Sequence, residues 1–168
     1  MATREQLYAK FGETAEAAQL FETELATLLL CVQGLEQGWH VAPDGEAAAK
    51  VLHDIDRSTL GQLLAKLRLS FSFDEAVTEQ FASALSARNR LNHGFYERHN
   101  FAIQTDGGRD AMLAGLSALH DELFNAWRMA DRISTAFHEA FLHARSEVTG
   151  GPTPAAGGTP RPEPQGAG

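Results

Sequence analysis

Ser86-Ala87-Arg88-Asn89-Arg90-Leu91-Asn92-His93-Gly94-Phe95-Tyr96-Glu97-Arg98-His99 closes a helical pattern that opens near Asp74. On a wheel of about 100° per residue, Val77, Phe81, Ala84, Leu85, Leu91 and Phe95 form one apolar face, with Arg88 in its middle. A guanidinium keeps its proton, so burying it unpaired is costly and a partner is required. A polar seam runs beside it: Asn92 and His99 next to Arg88, then Tyr96 and Asn89, then His93. Asn89 and His93 are four apart and share a helix face. Surface helices usually keep such groups opposite the core stripe. Here the two abut, which suits a second helix or a second subunit docking over the seam.

Outward from this stretch the chain reads as helix after helix. From Thr3 to Leu35, the residues Leu7, Phe11, Ala18, Phe21, Leu25, Leu28, Leu29, Val32 and Leu35 repeat on one face, and Gly34 and Gly38 are stop signals. Trp39 to Asp44 reads as a connection, with turn chemistry in Pro43-Asp44-Gly45. A short helix is expected over Glu46–Asp54, and another capped by Ser58 or Thr59 and lined by Leu60, Leu63, Leu64 and Leu67. Phe71 and Phe73 read as a loop plugged into the core, and Asp74 as the cap of the next helix. That helix should fray near His99-Asn100. Phe101 to Arg109 is expected to be irregular, ending in Asp106-Gly107-Gly108. The last helix, about Arg109 to Ser146, carries Met112, Leu116, Leu119, Leu123, Trp127, Ala130, Phe137 and Phe141 as a stripe.

The expected fold is therefore all-α. It is an antiparallel bundle of three long and one or two short helices over residues 1–148, with a disordered Pro/Gly-rich tail over 149–168. The tail has no apolar side chain larger than alanine, so ordering it is not offset by burial. No internal repeat competes with this reading.

Composition narrows the function classes. The 168 residues suffice for one domain with a sizeable core, and the hydrophobic fraction of 43% is ordinary for a soluble protein. The single cysteine, Cys31, excludes a disulfide framework or a cysteine-rich metal site. The start lacks the apolar stretch of a signal peptide and no run is long enough for a bilayer, so a soluble cytoplasmic protein without membrane association is expected. The net charge of −8 argues against a broad basic nucleic-acid face, but residues 86–99 carry a local balance of +2.

Arg88-Asn89-Arg90-Leu91-Asn92-His93 resembles the R-x4-6-H motif of the HEPN superfamily, including the polar residue that often follows the arginine. The resemblance implies a small helical bundle, commonly a homodimer, and in many members a metal-independent ribonuclease, at times a toxin or a stress or defence effector. It places catalysis on Arg88, Asn89 and His93, and the polar seam beside them adds Asn92, Tyr96 and His99 in support. Some HEPN toxins carry a tyrosine two residues after the histidine, adenylylated by a nucleotidyltransferase antitoxin. Here that position is Phe95 and the tyrosine is Tyr96.

The chemistry is sound on physical grounds. RNA carries its own nucleophile, the 2′-OH, so cleavage needs only a base, an acid and a cation at the phosphate. An imidazole, with an ordinary pKa of about 6.5, serves as either base or acid. An arginine holds two phosphate oxygens and stabilises the charge of the transition state. One motif supplies one histidine; a symmetric dimer supplies two in one cleft. The partners that the resemblance implies are a second copy, RNA and a nucleotidyltransferase-type or other antitoxin, and no metal or cofactor is expected.

The same residues admit a structural reading. Arg88 can bridge to Glu22, Glu24, Asp121 or Glu122, while His93, Asn89 and Asn92 serve as surface groups. His99 suits a helix C-terminus. His40 and His53 lie near loops, and His120, His138 and His143 lack the spacing of a metal pair. The alternative function is then a non-catalytic HEPN-like module that dimerises, or binds a partner or a nucleotide, through the seam.

Overall fold

A computed structural model describes residues 1–149, which are helical throughout apart from short connections and contain no strand. The helices are α1 (Arg4–Glu36), α2 (Gly45–Asp56), α3 (Leu60–Ser70), α4 (Glu75–Asn89), α5 (Phe95–His99) and α6 (Asp106–Thr149). Helix α6 continues one residue past the expected boundary at 148. Residues 150–168, and with them the reading of a disordered tail, lie outside the described residues.

Side chains set the helix starts. Thr3 accepts from Gln6 N while Gln6 Oε1 accepts from Thr3 N, a capping box repeated by Thr59 and Gln62 at the start of α3. Asp44 and Asp74 accept from Ala47 N and Val77 N at 2.9 and 2.8 Å. Helix α1 passes straight through Gly34 and stops at Gly38, whose φ of +71° allows Trp39 N to reach Gly34 O at 2.9 Å.

The core forms where α1, α4 and α6 meet. Phe21 and Phe81 are buried with ring centroids 5.4 Å apart, and Phe73 packs its edge on Phe81, as the plugged-loop reading expects. Phe71 lies half outside, against Phe137. The order of contacts fixes helix direction. Ala2 meets Asp110, Thr14 meets Leu116 and Glu24 meets Ser134, so α1 and α6 run parallel. Phe81 meets Phe21 while Phe95 meets Phe11, so α4 and α5 run antiparallel to α1. The expected antiparallel bundle therefore holds for α4 against α1, and the two longest helices instead lie side by side in the same direction.

Two other expectations are corrected. Asp106-Gly107-Gly108 belongs to the first turn of α6 and not to the connection, which is a 3₁₀ turn over Asn100–Gln104. Gly108 is needed there because a Cβ would collide with the Ala102 carbonyl oxygen. Arg109 ties the turn to the N-terminus through Ala2 O at 2.7 Å and Ile103 O at 3.1 Å. The third long helix, expected to run unbroken from Asp74 to His99, is interrupted by a π-turn over Arg90–Gly94.

Candidate functional site

The π-turn falls on the R-x4-6-H stretch and resets its faces. A π-turn takes more residues per turn than an α-helix, so positions four apart stay nearly aligned through it. Ala87, Leu91 and Phe95 are buried, and the next in that series, His99, lies half-buried with its ring 4.7 Å from that of Phe95. An uninterrupted helix would have carried His99 round to the seam beside Arg88. Leu85 is half-buried against the core, and Ala87, off the expected face, takes a fully buried position.

Arg88 therefore stands at the edge of the core rather than in its middle, on the side of α1. Its Nη2 lies 3.7 Å from Glu22 Oε2, the side chains 25% and 33% exposed. Its Nη1 reaches Asn89 Oδ1 at 3.5 Å, at the limit of a hydrogen bond. Tyr96 is on the α1 side as well, its ring 5.6 Å from Phe11, and Asn92 is exposed. Partial burial and the neighbouring Tyr8 push the Tyr96 hydroxyl above its ordinary pKa.

Asn89 and His93 are both exposed and line one open groove on the outer face, with Ser86, Arg90 and Gly94 along it. Arg90 turns toward α6 and pairs with Glu122 at 2.7 Å; Glu122 also accepts from Ser83. Of the six expected site residues, the groove unites Asn89 and His93. Arg88 borders it through Asn89. Tyr96 and His99 point to opposite sides, toward α1 and α6.

The regular-helix reading left Arg90, Gly94 and Arg98 outside the expected site. With His99, they face α6 and enclose a cavity of about 220 Å³ against Gly115, Leu119 and Glu122. The signal was present in the four-residue spacing Ala87, Leu91, Phe95, His99 and in a glycine inside a helical pattern. Among the described residues no group of three or more His, Cys, Asp or Glu side chains is placed to hold a metal ion, and no helix is long and apolar enough to cross a membrane. Compared with family models, curated proteins and solved structures, the chain matches none.

Proposed function

We propose that this protein is a HEPN-like, metal-independent endoribonuclease whose cleft is completed by a second copy docking its outer groove on the first. The observation that carries this reading is the pairing of exposed Asn89 and His93 along one groove with Arg90, at a π-turn, with Arg88 Nη1 3.5 Å from Asn89 Oδ1. π-turns cost hydrogen-bond geometry and are frequent at functional sites. Ser86 and Ala82 keep the groove low, so a second helix can approach closely.

In such a dimer one His93 takes the proton from the 2′-OH as its oxygen attacks phosphorus. The other His93 protonates the departing 5′-oxygen as the P–O bond breaks. The products are a 2′,3′-cyclic phosphate end and a 5′-hydroxyl end. Arg88 or Arg90 holds the non-bridging oxygens as charge builds on them. RNA cleavage in EDTA, with end-group analysis and a His93→Ala control, tests the reading.

A second reading has an observation in its favour. Both arginines beside the groove already face carboxylates, Arg88 to Glu22 and Arg90 to Glu122. Each pair offsets the cation that a phosphate would need, which favours a non-catalytic dimerisation or partner-binding module. Cleavage that survives in His93→Ala, or is lost in EDTA, supports this second reading.

A further inference from the structure

Behind the π-turn, on the side away from α1, the cavity against α6 has two unlike halves. Its floor is apolar, made of Phe95 and Leu119, and it exists because Gly115 leaves α6 without a side chain there. A Cβ at Gly115 would stand 3.6 Å from His99 Nε2 and 3.8 Å from the Phe95 ring, in ordinary contact, so anything larger would project into the space. The rim is polar: Arg90, Arg98, His99 and Glu122. Arg90 is already engaged by Glu122. Among the described residues Arg98 has no acidic partner and is exposed at the mouth.

This is the division of labour that a nucleotide needs. A planar base gains by leaving water for an apolar or aromatic floor, and its edge needs an acceptor or a donor. Glu122, steadied by Ser83 and Arg90, supplies an acceptor for an amino group. A phosphate needs a cation at the mouth, and Arg98 is there. A volume of about 220 Å³ lies below the usual range of about 300–1,000 Å³ for larger ligands and suits one ring system with its phosphate outside.

The position relative to the groove matters as much as the chemistry. Arg90 and Gly94 border both the cavity and the outer groove that holds Asn89 and His93. A Cβ at Gly94 would meet nothing within 4 Å, so the ridge between the two spaces is open backbone over which a strand can cross. We propose that the cavity is a ribonucleotide subsite: it seats one base on the Phe95–Leu119 floor and holds the adjoining phosphate on Arg98, leaving the next phosphate in the His93 groove. The strand's identity as RNA rests on the function proposed above; the nucleotide chemistry of the cavity does not.

The test is calorimetric titration of the full chain with AMP, GMP, CMP and UMP, with inorganic phosphate and ribose 5-phosphate as controls. At least one mononucleotide should bind while both controls fail. Arg98→Ala should weaken it about tenfold, the loss of one charge-assisted hydrogen bond. Gly115→Leu should abolish binding by filling the floor, and since leucine favours the helix more than glycine does, its melting temperature should not fall. Equal binding of phosphate and nucleotide, no binding of any mononucleotide, or undiminished binding in a folded Gly115→Leu would each overturn the subsite. The two proposals fail separately. If RNA is cleaved and His93→Ala stops it, but Gly115→Leu changes neither KM nor mononucleotide binding, the subsite falls and the ribonuclease stands. If mononucleotides bind through Arg98 and no RNA is cut, the subsite stands alone.

Discussion

Arg88 Nη2 lies 3.7 Å from Glu22 Oε2, so the arginine of the R-x4-6-H stretch is tied to α1 across the edge of the core. The pair links the two readings of the protein. A phosphate arriving at Arg88 competes with Glu22, and the carboxylate sets how free the guanidinium is.

The first prediction follows from that competition. Glu22→Gln removes the opposing charge from a partly exposed pair, whose contribution to stability should be about 1 kcal/mol or less. Folding should be nearly unchanged, and RNA cleavage unchanged or faster. Arg88→Lys keeps the charge but loses the planar fork, so cleavage should drop. A Glu22→Gln protein that folds normally yet cleaves much more slowly would remove Arg88 from the phosphate.

His93→Ala should slow cleavage by about 10²–10⁴-fold, the range for loss of a general acid or base. Its side chain is exposed, so thermal unfolding should barely move. His120 is the control: it stacks on Phe124 of α6, with ring centroids 5.6 Å apart, and is outside the motif. His120→Ala should leave the rate alone. A similar loss in both variants would point to a structural cause.

Assembly is the third prediction. If the outer groove is completed by a second copy, light scattering at tens of micromolar protein should report a dimer. Its interface should bury on the order of 1,200–2,000 Å² in total. Ser86→Arg on the groove should split the dimer and stop cleavage without unfolding the chain. A monomeric wild type would leave each molecule with a single His93 and sink the two-histidine mechanism.

Stability should centre on Phe81. It is buried between Phe21, 5.4 Å away, and Phe73, 5.6 Å away, where α4 meets α1. Phe81→Ala should cost about 3–5 kcal/mol by urea denaturation, from lost transfer and the cavity left behind. A loss under about 1 kcal/mol would mean that the site collapses around the gap and that the aromatic cluster is not central.

Cys31 gives a pH-dependent test. Desolvation, and secondarily the charge of Glu24, raise its pKa above the ordinary 9.0. The thiolate is the reactive form, so near pH 8 the native protein should react with iodoacetamide more slowly than the urea-unfolded chain. The rate in the native state should climb only as pH rises past the ordinary thiol range. Glu24→Gln should move that climb to lower pH, and equal rates in native and unfolded protein would contradict the shift.

The helices themselves were legible in the residues. Thr59 and Asp74 cap where expected, and Thr3 and Asp44, read as a helix start and as turn chemistry, cap by the same local reach of a side chain to free backbone N–H groups. The α6 stripe from Met112 to Leu123 is buried as its period requires, because helical geometry alone places those residues on one side. Asn89 and His93 share a face for the same reason.

What tertiary structure decided begins at Arg90. Whether a helical pattern holds 3.6 residues per turn or widens for one turn depends on what its neighbours demand, and here Phe95 and His99 stay inward against α1 and α6. Arg90, at the start of that widening, meets Glu122, and His99 beyond it turns into the cavity, while Arg88, ahead of it in α4, meets Glu22. Residues far apart in sequence supply each of those partners. The parallel course of α1 and α6 is likewise invisible in either helix, since an amphipathic stripe states which face is buried and not which way the facing helix runs. The residues determined the helices and their inner faces; packing determined which charges meet and where a cavity is left against α6.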